Sequence, residues 1–261
     1  MSERKQGQRD DPPDSGRRAF IGAGVGVTAA ATLAIAPGIR LIEIAQAHSS
    51  GIHGGGLASS KQRWGLLVDT TRCKSGCQEC VSACARENAI APGSGRPSQN
   101  SQWLRKIELK EQRTGRELSL PMMCQHCAKP PCVDVCPTGA SMRRADGIVL
   151  VDRHICIGCR YCMMACPYQA RSFVHEPLHD QNPQVPRGQG CVEACTLCVH
   201  RVDKGLQPAC VEACNKTGGG AMVFGDIKDP ASDIAKRIAA VASSQVRADL
   251  RLDPGVRYQG I

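Results

Sequence analysis

Apolar residues in this chain come in short runs separated by polar, glycine-rich and proline-rich stretches. Trp64-Gly65-Leu66-Leu67-Val68-Asp69 predicts a strand, and the alternation from Trp103 to Leu109 predicts a second. Gly147 to Asp152 reads as a compact third strand and Ala221 to Phe224 as a fourth. One helix is expected from about Pro230 to Ala242, with Asp229 or Ser232 able to cap it. Ile234, Ile238 and Val241 share one of its faces, a stripe suited to packing on the body. Residues 91–101 and 180–190, rich in Gly, Pro, Ser and Asn or Gln, predict surface loops. The tail from Arg247 to Ile261 shows no clear element and would wrap the body or a neighbour. The pattern is α+β, with loops around short strands.

Such a chain has little with which to fill a core. Aromatic residues make up only 3%, chiefly Trp64, Trp103, Tyr161, Tyr168, Phe173, Phe224 and Tyr258. Cysteine changes the picture, because sixteen of the 17 fall into four groups of four. The first is Cys73, Cys77, Cys80 and Cys84, and the second Cys124, Cys127, Cys132 and Cys136. The third is Cys156, Cys159, Cys162 and Cys166, and the fourth Cys195, Cys198, Cys210 and Cys214. Cys191 is left over and reads as a bystander thiol.

The third group, closed by Pro167, has the C-x2-C-x2-C-x3-C-P spacing that wraps a cubane iron–sulfur centre and sends its fourth cysteine to another cluster. Gly158 suits a close approach of backbone to inorganic sulfur, and Pro167 follows where the chain must bend. The second group is a stretched relative, its wider gap stiffened by Pro130 and Pro131. Disulfides fit poorly, because three cysteines two residues apart cannot easily meet the Cα separations of bridges. Zinc would leave the third cysteine of each triplet without a role. A disulfide- or zinc-stabilised structural protein is therefore the weaker reading. Sixteen thiolates suffice for four [4Fe-4S] clusters filling the core, so folding should depend on metal. The first group has x3 between Cys73 and Cys77 where x2 is common; three clusters would follow if it stays unfilled.

The N-terminus sets an expected compartment. Residues 1–47 read as a twin-arginine signal, with Arg17-Arg18 before a moderately apolar stretch and Ala45-Gln46-Ala47 as a cleavage site. That route exports folded proteins, as pre-inserted clusters require; a retained N-terminal anchor is the alternative. From His48 onward no stretch approaches membrane-spanning length. The formal charge of +9 includes only +1 from residues 1–47, which carry six basic and five acidic side chains. Four oxidised clusters with their thiolates would bring roughly −8. The basic excess thus offsets cofactor charge, and no nucleic-acid partner is needed to explain it. Arg160, Arg171, His200, Arg201 and Lys204 stand close in sequence to ligand cysteines and are candidates for tuning potential. His126, His154 and His175 read as second-layer or exposed residues.

From Lys61 to Tyr258 the chain resembles the four-cluster iron–sulfur subunits of the dimethyl sulfoxide and polysulfide reductase type. The likeness rests on Gly147-Ile-Val-Leu-Val-Asp152, Cys159-Arg-Tyr-Cys-Met-Met-Ala-Cys-Pro-Tyr168, Ala170-Arg-Ser-Phe173, Cys198-Val-His-Arg-Val-Asp203, Pro208-Ala-Cys-Val-Glu-Ala-Cys214 and Ala221-Met-Val-Phe-Gly-Asp226. Within that family it is most similar to the DsrO-type subunits of DsrMKJOP sulfur-metabolism complexes.

The resemblance implies a duplicated, nested ferredoxin over residues 61–228. An inner module of about 120–170 would lie inside an outer one of about 64–90 and 191–226, followed by a helix and tail at 229–261. It implies cross-paired ligands: Cys124, Cys127, Cys132 with Cys166; Cys156, Cys159, Cys162 with Cys136; Cys73, Cys77, Cys80 with Cys214; and Cys195, Cys198, Cys210 with Cys84. It further implies a periplasmic relay of single electrons between an integral-membrane, quinone-interacting NrfD-like subunit and a multihaem cytochrome c, among other complex subunits. The electron-transfer subunit of a molybdopterin reductase acting on polysulfide or tetrathionate is the alternative. No residue pattern suggests a substrate-converting site or a small-molecule substrate.

Overall fold

A computed structural model describes residues 58–91, 96 and 99–261. The proposed signal and its cleavage site lie outside them. Among the described residues, no helix is long and apolar enough to cross a membrane.

Strand β1 (Trp64–Asp69) is the spine, buried from Gly65 to Asp69. It pairs antiparallel with β8 (Met222–Asp226) and parallel with β9 (Val256–Gln259), giving a sheet ordered β8-β1-β9. The other strands form three two-stranded antiparallel pairs. These are β2 (Leu104–Lys110) with β3 (Glu117–Met123), β4 (Ser141–Arg143) with β5 (Val149–Val151), and β6 (Arg171–Phe173) with β7 (Val192–Ala194). Between them run short helices: α1 (Glu79–Glu87), α2 (Pro131–Asp134), α3 (Tyr161–Ala165), α4 (Val199–Val202) and α5 (Ala209–Lys216). Helix α6 (Asp233–Ala240) packs on β8 and β1. The molecule is an α+β assembly of short elements, as the hydrophobic pattern implied.

The four strands and the one helix expected from that pattern are present within a few residues. Ser232 caps α6, its Oγ accepting from the Ala235 N–H at 3.2 Å, and Ile234 is fully buried beneath it. Two features differ from expectation. The tail contributes β9, because Val256 and Tyr258 turn inward while Arg257 and Gln259 turn outward; two apolar positions are too few to announce a strand. Helices α1 and α5 are likewise not announced by the pattern, because their apolar stripes are made of cysteine, alanine and a single valine. Buried Cys80, Ala83 and Cys84 line α1, and Ala209, Val211 and Cys214 line α5.

Tyr258 ties the tail to the centre. Its ring is fully buried, and its hydroxyl donates to the Pro121 carbonyl at 2.9 Å while accepting from Gln125 Nε2 at 3.2 Å. Tyr258→Phe should remove both bonds, leaving Gln125 Nε2 only its bond to the Met123 carbonyl (2.9 Å), and cost about 1–2 kcal/mol. In a thermal melt of the cofactor-loaded protein, the midpoint is expected to fall by several degrees with the visible spectrum unchanged.

Candidate iron–sulfur sites

The four cysteine groups share one backbone device. The residue immediately before the second cysteine of each group has a left-handed conformation: Gly76 (φ 75°), His126 (φ 45°), Gly158 (φ 69°) and Leu197 (φ 53°). A left-handed residue turns the chain back so that flanking side chains converge, and a non-glycine residue there marks a site under functional constraint. In the first group the extra residue is absorbed ahead of Gly76, so the turn that presents Cys77 is retained. At Gly158 the need for glycine has a second cause besides φ. A Cβ there would stand 2.3 Å from the Gly190 carbonyl oxygen, so neighbouring backbone by itself requires glycine.

After these turns, short helices carry cysteines four residues apart on one face. Cys80 and Cys84 lie on α1, and Cys210 and Cys214 on α5, which packs against it. Cys132 lies on α2 with Cys136 just beyond; Cys162 lies on α3, which ends at Cys166. The thiols are thereby gathered into sets that mix groups distant in sequence. Cys80 feels Cys73, and both feel Cys77 and Cys214. Cys84 feels Cys195 and Cys198, and Cys210 feels Cys198 and Cys84. Cys124 and Cys127 both feel Cys132 and Cys166. Cys162 feels Cys136 and Cys156, with exposed Cys159 on the loop between Cys156 and Cys162. Weaker influences run between sets: Cys80 on Cys84 and Cys210, Cys124 on Cys195, and Cys162 on Cys132.

Burial, reinforced by neighbouring thiols, pushes Cys80 and Cys127 up to about 12, and burial does the same to Cys124. Burial also holds Cys84, Cys195 and Cys210 well above the usual thiol range. Four crowded thiols can ionise together only against a strong local positive charge, which iron supplies. Cys136 shows the opposite balance. Burial opposes its charge, but N–H donors from Ser141, Thr138 and Ala140 and the Thr138 hydroxyl bring it below the usual range.

The lining of two sites fits a cluster. A hollow lies among Cys84, Cys195, Cys198 and Cys210, walled by Leu66, Leu104 and Val211. Trp103 Nε1, His126 Nε2 and Thr196 Oγ1 belong to residues of that same lining, are buried, and have no hydrogen-bond partner. The backbone N–H of Val149 donates to His126 Nδ1 at 3.0 Å, so the neutral ring carries its proton on Nε2. Burial holds this imidazole neutral, lowering it to about 3. Unpaired buried donors are costly, and cluster sulfides are the acceptors such a site would offer.

A second hollow lies among Cys124, Cys127, Cys132 and Cys166. There Arg171 Nη1 is buried without a partner, and the buried Tyr168 hydroxyl is directed at the Cys127 thiol. Donors also reach the thiols directly: Ala221 N to Cys214 (3.3 Å), Leu197 N to Cys195 (3.4 Å), Ser141 N to Cys136 (3.3 Å) and Arg171 Nη2 to Cys132 (3.0 Å).

All seventeen thiols are free of disulfides. Among the described residues, no three His, Cys, Asp or Glu side chains converge as they would on a single ion. A cubane takes each thiolate on a different iron, so its ligands stand apart around a hollow.

Of the basic residues singled out in the sequence, Arg171 is the one in hydrogen-bonding contact with a thiol. Arg201 bonds Glu87 and Glu212, and His200 bonds Glu87 at 2.7 Å. Arg160 lies over the Phe173 ring, and Lys204 reaches Gln184. His154 and His175 are exposed, whereas His126 is buried. Lys106, on β2, has no sequence signal that marks it; its charge favours the ionised forms of Cys73 and Cys80. Cys191 Sγ donates to the Arg153 carbonyl at 3.3 Å, and this thiol also feels the neighbouring Cys156 thiol, at the edge of the last set.

Known proteins give this architecture a family. The family model described as a 4Fe-4S dicluster domain matches residues 116–227. The chain is 45% identical over 225 residues to the Hdr-like menaquinol oxidoreductase iron–sulfur subunit 1 of Archaeoglobus fulgidus, covering 76% of this chain and 83% of that one. It is 40% identical over 226 residues to a tetrathionate reductase subunit of Salmonella typhimurium, covering 85% and 78% respectively. The iron–sulfur cluster-binding subunit of menaquinone reductase from Nitratidesulfovibrio vulgaris is 34% identical over 230 residues, covering 76% and 89%. Crowded thiols, cysteine-lined hollows and likeness over most of three known subunits agree: the chain belongs to the 4Fe-4S dicluster family of iron–sulfur subunits.

Proposed function

We propose that the chain is a four-cluster electron relay in which the sixteen grouped cysteines are the iron ligands. The observation that carries this is the mixing of the groups. Three sets draw three thiols from one group and one from another, and in the fourth Cys162 meets Cys156 of its own group and Cys136 of another. This supports the duplicated and nested ferredoxin arrangement. The weaker influences between sets support an order along the relay. It runs from Cys73, Cys77, Cys80 and Cys214 to Cys84, Cys195, Cys198 and Cys210, then to Cys124, Cys127, Cys132 and Cys166, and last to Cys136, Cys156, Cys159 and Cys162. The bound clusters supply one-electron storage; the chain fixes their spacing, excludes water and donates hydrogen bonds. Around the last set Ile155, Ile157, Tyr161 and Met164 are exposed beside Cys159, a surface suited to contact with a redox partner.

In this reading the relay is periplasmic, exported by the twin-arginine route. It joins an integral-membrane quinone-interacting subunit to a multihaem cytochrome c in a DsrMKJOP-like complex. Two of the relatives are named for menaquinol or menaquinone chemistry, which supports the quinone side. A second reading, the subunit of a molybdopterin reductase, is favoured by the tetrathionate reductase relative. Capture of the tagged chain from solubilised membranes separates them. Haem c together with a multi-span membrane protein supports the first reading, and a large molybdopterin subunit supports the second.

Protein purified without air should contain about sixteen irons and as many acid-labile sulfides per chain. About twelve would leave one set unfilled, and none would sink the relay. Cys159→Ser should lose about four irons and accumulate to a lower level, whereas Cys191→Ser should retain the full complement. Loss of iron from the Cys191 variant would show that the ligand sets are drawn wrongly.

A further inference from the structure

Arg171 opens β6 and is only 6% exposed. Its Nη2 donates to Cys132 Sγ at 3.0 Å and to Ser141 Oγ at 2.8 Å. Its Nη1 is buried without a partner, and the residue lines the hollow among Cys124, Cys127, Cys132 and Cys166. Burial opposes its charge, and the groups that favour that charge most are the thiols of Cys132, Cys162 and Cys124. Cys132 and Cys124 belong to one set and Cys162 to the next. Ser141, which accepts from Nη2, in turn donates its N–H to Cys136 Sγ of that next set at 3.3 Å. The guanidinium therefore stands between two neighbouring sites, with sulfur as its principal counter-charge. Elsewhere the arrangement differs. The set of Cys73 and Cys80 has Lys106 nearby, and the hollow among Cys84, Cys195, Cys198 and Cys210 is lined by uncharged donors.

We propose that Arg171 is a shared counter-ion of two adjacent clusters, those of Cys124, Cys127, Cys132, Cys166 and of Cys136, Cys156, Cys159, Cys162, and raises both reduction potentials. The proposal rests on the four-cluster reading. Reduction adds one electron to a centre that is already anionic, and a fixed positive charge in a poorly screened interior stabilises the reduced form more than the oxidised one. Placed between two centres, one charge lifts both, and the step between them stays small. Arg171 is a positioning and tuning residue; it carries no electron itself.

The test is a redox titration followed by EPR on cofactor-loaded protein, with Arg171→Gln and Arg171→Lys beside the unaltered chain. Iron and sulfide are assayed first, because an unaltered protein without clusters defeats the relay reading whatever Arg171 does. In Arg171→Gln two midpoints should fall together, each by at least a tenfold change in its equilibrium constant, about 59 mV for a one-electron couple. The cluster at the far end of the row, at Cys73, should keep its potential. Arg171→Lys should restore most of the fall, since it keeps the charge and loses only the fork. Unmoved midpoints, a fall in a single cluster, or a Lys variant as low as the Gln variant would overturn the proposal. Should the Gln variant lose iron, guanidino-15N-arginine labelling and pulsed EPR of the reduced, unaltered protein decide. A 15N coupling that vanishes in Arg171→Lys is expected, and its absence from the unaltered protein would overturn the assignment.

Discussion

The pitch of one helical turn governs this molecule. A cysteine and its neighbour four residues on share a face about 5–6 Å apart at Cβ, too far to serve one corner and close enough to serve two adjoining sites. Cys80 joins one set and Cys84 the next; Cys210 and Cys214 divide between the same two sets in reverse. Because α1 and α5 pack together, the exchange is reciprocal and closes both sites at once. Helices α2 and α3 repeat the arrangement with Cys132, Cys136, Cys162 and Cys166. Part of the spacing between sites is thus built into secondary structure, with the left-handed turns presenting the other thiols.

That economy has an electrostatic consequence. Packing thiols in fours inside a small protein concentrates negative charge where water cannot screen it. Burial alone raises most of these thiols, and each neighbour raises them further. The chain meets this unevenly, with an ammonium at one end of the row, uncharged donors and the Glu87-paired Arg201 next, and a guanidinium beside the remaining pair. A basic excess spread evenly over the surface would not do the same, since exposed charges are screened within about 8–10 Å. Position, more than the net charge of +9, is what matters here.

The cysteine groups and the strands at 64–69, 103–109, 147–152 and 221–224 are legible in the sequence because both signals are local: a spacing in one case, a short apolar run in the other. Helices α1 and α5 are not legible, because a stripe of cysteine and alanine reads as ligands and small residues. Strand β9 escapes because its burial depends on β1, far away in sequence. The unpaired donors of Trp103 and Thr196 cannot be found at all. Each is distant in sequence from at least one of the thiols it meets, and neither has a motif. His126 stands out in the sequence between two cysteines of one set, yet it lines the hollow of another. Arg171 is flagged by its nearness to Cys166; its place between two sites needs the fold.

The extra residue between Cys73 and Cys77 tests how much of the site is set by spacing and how much by conformation. If spacing ruled, one added residue would rotate Cys77 out of place. Instead the left-handed turn stays fixed to the residue before the second cysteine, and Gly76 occupies the position held elsewhere by His126, Gly158 and Leu197. The surplus falls at Lys74 and Ser75, where the Lys74 carbonyl accepts from Lys106 Nζ at 2.7 Å. The insertion thus provides an anchor for the cation that acts on Cys73 and Cys80. A departure from the common spacing at this end of the row therefore brings its own charge, and conformation at the turn, rather than the count of residues, is what keeps the thiol in its set.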